Sequence, residues 1–187
     1  LADDLDHFWD VELGGFDPVT AVPVDTFEGL VCPEPSAIAD GVVTCAGERS
    51  IRYHEPTVRE LYAEFGDFTI GYYYGVAWAE FAQQALGSEL AGEQRALLND
   101  CYAGAWVRDI TPDANGNTRR SGDRDGDGTP DGISSSPGDL DEAIRMAILE
   151  GDDGANVDQV GSAFEKIAAI RVGAIGGLTA CEAAFAR

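Results

Sequence analysis

Histidine is nearly absent from this chain: His7 and His54 are the only two in 187 residues. They lie in separate segments, so no pair of imidazoles at helical spacing exists to grip a metal ion. Cations are scarce as well. Twelve Lys and Arg stand against 34 Asp and Glu, for a formal net charge of −22. That balance repels phosphates and anionic lipid, which argues against nucleic acid and membrane surfaces as partners. The acidity reads as solubility in a salty or calcium-bearing medium. Long apolar runs are missing too. The nearest candidate, "VGAIGGLTAC" at 172–181, is too short to cross a bilayer and follows Arg171. No basic stretch leads into an apolar one at the start. The expected form is a mature, exported one whose signal or anchor is not present in this chain. No CxxC pair, no glycine-rich phosphate loop after a strand and no GxSxG elbow occur.

What is present suits a folded globule. The length supports a single domain over 1–187 with a substantial core. Four cysteines, Cys32, Cys45, Cys101 and Cys181, allow three pairings. Two disulfides in an exported protein are the expected state. Cys32–Cys45 would close a short β-rich loop, and Cys101–Cys181 would tie a central helix to the C-terminus. Four buried thiols in a cytosolic protein is the competing reading.

Periodicity predicts an α+β, mainly α-helical fold. "DDLDHFWDVEL" reads as a first helix stopped by Gly14 and Gly15, and "FDPVTAVPVD" as loop. Between 27 and 54, "FEGLV", "GVVTC" and "SIRYH" read as short strands of a small sheet or hairpin. From Thr57 the pattern turns helical, with "TVRE" as a capping box. Gly66 ends that helix and Asp67 is placed to cap the next. That helix runs to about Ala85 and is apolar almost all round, the mark of a buried central helix. Another is expected over about 89–108. "SPGDLDEAIRMAILEG" has Ser136 as cap, Pro137 at the first position, Asp139 in the capping box and Gly151 as stop. A further helix is expected from Asp158 to about Ala174, and a short last one from Thr179.

The strongest chemical motif is "DRDGDGTPDG" at 123–132, within an insertion at about 109–135. Asp123, Asp125 and Asp127 stand at positions 1, 3 and 5 of a calcium loop. Gly128 allows the sharp turn, Thr129 offers its carbonyl, and Asp131 follows at position 9. Alternate carboxylates converge inside such a bend, and calcium wants six to eight oxygens. Ser134 stands where an EF-hand has a bidentate glutamate, so the loop reads as an Asp-rich structural site of an extracellular protein. Asp113, Asn115 and Asn117 could add oxygens. Arg119 and Arg120, beside this loop, read as internal salt-bridge partners.

Five segments, in order, resemble the YpfJ-like neutral zinc metallopeptidases of bacteria. "FGDFTIGYYYGVAWAEFAQQ" is similar to that family's "GDFA…AHEWGHxVQ", and "LLNDCYAGAW" to its "LQADCFAGVW". "SPGDLDEAIRMAILEGDD" resembles "PGDLEEALxAAxxIGDD", and "TCAGERSIRYHEPTVREL" resembles "YCPxDxxIYxDxxFLxEL". "GSAFEKIAAIRVGAIGGLTAC" is more loosely similar to "GSxxQRxxWFxxGxxxGxxxxC". Together they cover most of 27–181. The resemblance implies a zincin-like domain. It also implies a lost site, because the family's two histidines and its catalytic glutamate fall on Val76, Glu80 and Ala77, and its third ligand falls on Ala96. Asp100 and Cys101 match the family's Asp-Cys. A zinc enzyme needs about three protein ligands and an open position, so zinc is not expected and Ca²⁺ is the expected cofactor. Glu80 is expected at the surface, and Tyr72, Tyr73, Tyr74 and Trp78 in the core.

These readings point to a pseudopeptidase: an extracellular or cell-surface structural or interaction subunit whose partner is another protein or an extracellular assembly. Two rivals stand beside it. An active metal-dependent peptidase with a non-standard site would need Glu80, Asp100 and His54 to converge. An enzyme of another class would need a polar cleft with paired carboxylates.

Overall fold

The computed structural model describes residues 1–39, 41–116, 118–119, 132–136, 138–151 and 160–186. Seven helices and four strands are built from them. Helix α1 spans Ala2–Leu13, and Gly14 closes it in the left-handed conformation at φ 69°, which glycine adopts at little cost. Strands β1 (Thr20–Val24), β2 (Pro35–Ala39), β3 (Val42–Cys45) and β4 (Ser50–His54) form one mixed sheet in the order β1-β4-β3-β2. Both β2–β3 and β3–β4 are antiparallel, whereas β1 runs parallel to β4 with Thr20 opposite Ser50 and Val24 opposite His54.

Two sequence expectations change here. The segment expected as loop contains β1, an edge strand whose Pro23 costs no ladder bond on the open side. "FEGL" is a 3-10 turn rather than a strand, and the exposed Phe27 ring stacks on His54 at 4.2 Å.

Helix α2 (Glu55–Phe65) begins two residues before the expected cap. Thr57 instead shares a 2.8 Å hydrogen bond with Nδ1 of His54. Helix α3 (Phe68–Ala85) is the centre of the domain, with Ala77, Trp78, Ala79, Phe81 and Ala82 fully enclosed. It packs on α1, α2, β2, β3, α4 (Gly92–Ile110) and α5 (Asp139–Gly151). Its indole is satisfied from α1, since Trp78 Nε1 donates to Asp6 at 2.7 Å, and Trp106 on α4 donates to Asp4 at 3.0 Å. Buried indole N–H groups need such partners. Asp6 also accepts from the Val19 amide, yet burial still raises its carboxyl above the ordinary range.

Helix α6 (Ala163–Gly176) starts at Ser162, whose capping box with Glu165 is complete. The expected start at Asp158 lies outside the described residues. Helices α4 and α6 cross with their backbones nearly touching. A Cβ on Gly104 would lie 2.1 Å from the Ile170 carbonyl oxygen, and one on Gly173 would lie 1.9 Å from that of Cys101. Helix α7 (Leu178–Phe185) follows after Gly177. Both expected disulfides are formed: Cys32–Cys45 closes the sheet loop, and Cys101–Cys181 joins α4 to α7.

Candidate functional site

The positions that align, in the resemblance, with the family's metal ligands and catalytic base lie on α3 and α4, which pack on each other. Val76 and Ala77 are buried with the core, and Ala96 is half-buried at the start of α4. Glu80, expected at the surface, is buried instead. It is 4 % exposed. The Arg95 guanidinium grips it: Nε lies 2.9 Å from both carboxylate oxygens and Nη2 2.6 Å from Oε1. Asn99 Nδ2 adds a bond of 2.9 Å. The network continues, because Gln83 Nε2 donates to Asn99 Oδ1 at 2.6 Å and Ser88 donates to Gln83 Oε1 at 3.1 Å. Every lone pair that a metal could use on Glu80 therefore competes with a charge-assisted bond. The sequence did carry a signal for this network. Glu80 and Gln83 sit three apart on an otherwise apolar helix, and Arg95 and Asn99 sit four apart on the next, so each pair makes one polar spot on a buried face.

A second polar group lies farther along the same helices. Asp100, with no exposure, accepts from the Tyr72 hydroxyl at 2.7 Å and from Lys166 Nζ at 2.9 Å. Burial pushes the Asp100 carboxyl above its ordinary value, and Lys166 and Tyr72 pull it back part of the way. Burial, with Asp100 beside it, drives the Tyr72 phenol far above its ordinary range, so it stays a donor. Lys166 was missed from sequence, since a lysine on a helix ordinarily reads as solvated.

His54 is engaged by Thr57 through Nδ1 and by the Asp25 carbonyl through Nε2 at 3.2 Å. Glu80, Asp100 and His54 thus hold three separate sets of partners, and the convergence that an unusual zinc site would require is not seen.

Among the described residues, one acidic trio has oxygens within 4.8 Å of one another: Asp67, Asp139 and Glu142. Part of its capacity is spent. Glu142 accepts the Phe68 amide at 2.8 Å, capping α3 from another helix in place of the expected Asp67 side chain. Asp139 accepts the Ser136 amide at 2.9 Å, as its capping role predicts. Gly66 makes room for this arrangement, as a Cβ there would fall on the Glu142 carboxylate.

The calcium-loop residues Asp123, Asp125, Asp127, Thr129 and Asp131 lie outside the described residues, as does Asn117. Both ends of the insertion meet the last turn of α4. The Arg119 amide donates to the Asp109 carbonyl at 3.0 Å and the Ser135 amide to that of Ile110 at 2.9 Å, satisfying carbonyls that a helix end leaves open. Asn115 closes a local turn onto Asp113 Oδ1 at 2.8 Å. Against this helix end lies a cleft of about 700 Å³. Arg119 lines it; the acidic loop expected to pair with Arg119 and Arg120 lies outside the described residues, as does Arg120.

No helix among the described residues is long and apolar enough to cross a membrane. Comparison of the chain with family models, with curated proteins and with solved structures gave no match.

Proposed function

We propose that this protein is a catalytically inactive relative of the zinc metallopeptidases that works outside the cell as a structural or interaction subunit. The observation that carries the reading is the state of Glu80. On the helix that resembles the metallopeptidase active-site helix, it is the one potential ligand left at the marked positions, and Arg95 and Asn99 occupy it. Val76, Ala77 and Ala96 cannot bind a metal or activate water. Packing around α3 supports the same view, because Val76 and Ala77 are buried in the core and the polar side chains beside them are bonded to one another.

The zincin-like assignment of the fold belongs to this proposal. It rests on the ordered segments quoted above and on two adjacent buried helices, α3 and α4. Two disulfides favour an oxidising compartment and so an extracellular or cell-surface location. Calcium at Asp123, Asp125, Asp127, Thr129 and Asp131 would neutralise an insertion that otherwise repels itself. The partner in this reading is another protein or an extracellular assembly. An active peptidase with a non-standard site is the alternative, and it would require Glu80 to exchange Arg95 for a metal.

The test is cleavage of unfolded casein and of a mixed peptide library, with zinc supplied and then chelated. The proposal expects no chelator-sensitive cleavage, and expects Arg95→Ala, which frees Glu80, to create none. Zinc-dependent turnover by the unmodified protein would overturn it.

A further inference from the structure

Basic side chains are rare in this chain, and most of the described ones are committed. Arg52 pairs with Glu48, Arg59 with Glu55, Arg95 with Glu80 and Lys166 with Asp100. Arg49 donates to the Asp17 carbonyl. Arg108 and Arg119 differ, because neither has an ion pair or side-chain hydrogen bond among the described residues, and both line the same cleft of about 700 Å³. Arg145 and Arg171 also have no ion pair among the described residues, but neither lines this cleft.

The position of the two arginines has a local cause. The C-terminal end of α4 carries the negative end of the helix dipole, which favours cations there. That explains the charge but leaves the guanidinium donors unspent. Apolar side chains line the same cleft, among them Val107, Leu140, Ala174 and Ile175. Leu140 is 42 % exposed and Ile175 67 %, so both offer apolar surface within the cleft. A cleft of this size, lined by apolar side chains and by two guanidinium groups, has the make-up of a small-molecule site.

We propose that this cleft binds a small organic carboxylate with an apolar body, the carboxylate held by Arg108 and Arg119 and the body lying against Leu140 and Ile175. Arginine matches a carboxylate through paired N–H donors. The overall charge of −22 selects further, because it opposes a dianion more strongly than a monoanion. Asp113, also in the cleft wall, adds to that bias against phosphate esters. This binding role goes beyond the interaction function proposed above and does not depend on it.

The experiment is calorimetric titration of the full chain with octanoate, with octylammonium and octanol as controls. Octanoate is expected to bind one-to-one, octylammonium not at all, and octanol far more weakly. Arg108→Gln and Arg119→Gln should each weaken octanoate binding by about tenfold or more, the usual effect of losing one charge-assisted contact. Arg119 is exposed, so its variant is expected to fold, which an unchanged melting temperature would verify. Absence of octanoate binding at millimolar concentration, or equal binding of the cationic control, would overturn the proposal. So would binding that appears only when Asp123, Asp125 and Asp127 are changed together to Asn, since the arginines would then serve the protein's own carboxylates.

Discussion

Replacing Lys166 by methionine removes the cation that faces Asp100 while keeping most of the side-chain volume. Asp100 has no exposure, and its other contact is the Tyr72 hydroxyl. Stripping one partner from a buried ion pair typically costs about 3–5 kcal/mol, because the remaining charge stays desolvated. In a domain of this size each kcal/mol lowers the midpoint by about 2–4 °C, so K166M should melt roughly 6–20 °C below the parent. The pH dependence follows from the direction of the Asp100 shift. Its carboxyl lies above the ordinary 3.8 in the folded state, so the folded chain holds that proton more tightly than the unfolded one. Its contribution to stability is fully present below the unfolded value and is lost as pH rises through the folded value. Loss of Lys166 moves the folded value higher and widens that window. The deficit of K166M should therefore be largest near neutrality and shrink toward about pH 4. Urea denaturation at both ends of the range reads it directly. The double variant K166M/D100N should be more stable than the two single losses added together predict, by about 2 kcal/mol or more. A K166M penalty below about 1 kcal/mol, or one that does not change with pH, would refute the reasoning.

The close crossing of α4 and α6 predicts that Gly173→Ala, whose Cβ would meet the Cys101 carbonyl oxygen at 1.9 Å, costs about 3 kcal/mol or more in chemical denaturation. A neutral result would mean that these helices can separate freely. Arg95→Met should cost about 3 kcal/mol by leaving Glu80 buried without its cation, while the further change Glu80→Gln should recover most of that loss. Removing Cys101–Cys181, which spans 80 residues, should cost about 4–5 kcal/mol. Removing Cys32–Cys45, which spans 13, should cost about 3 kcal/mol if loop entropy dominates. The order of the two, measured by thermal denaturation of the paired Cys→Ser variants, is the discriminating result. Calcium should raise the melting temperature in a dose-dependent way, and Asp125→Asn with Asp127→Asn should abolish the rise.

Helix positions were legible because α4 and α5 carry apolar periodicity and α3 is a long apolar segment, with Gly66, Gly87 and Gly151 as punctuation. The disulfides were legible from topology: one short β loop, and one central helix with a distant terminal partner. Strand β1 was hidden because its pairing is non-local. Half-exposed "TAVPV" shows little alternation, and only its parallel alignment with β4 gives it a ladder. The start of α2 was misplaced because Thr57, a good cap by sequence, has its hydroxyl engaged by His54. Glu80 was misplaced and Lys166 overlooked for one shared reason. A charged side chain inside a helical stripe reads as solvated unless its partner is known, and those partners come from another helix, 15 residues away for Arg95 and 66 for Asp100. Likewise, nothing in the local pattern of Arg108 or Arg119 shows that the chain folds both toward one cleft.

The central claim is that the buried helix α3 has kept its structural role without metal chemistry. Elemental analysis for zinc and calcium tests this most directly, on protein purified without chelator and then dialysed against trace amounts of both. The account predicts near-stoichiometric calcium and no zinc above background, with calcium lost on changing Asp125 and Asp127. Stoichiometric zinc that disappears on Glu80→Gln would contradict it, since Glu80 would then have left Arg95 to bind a metal.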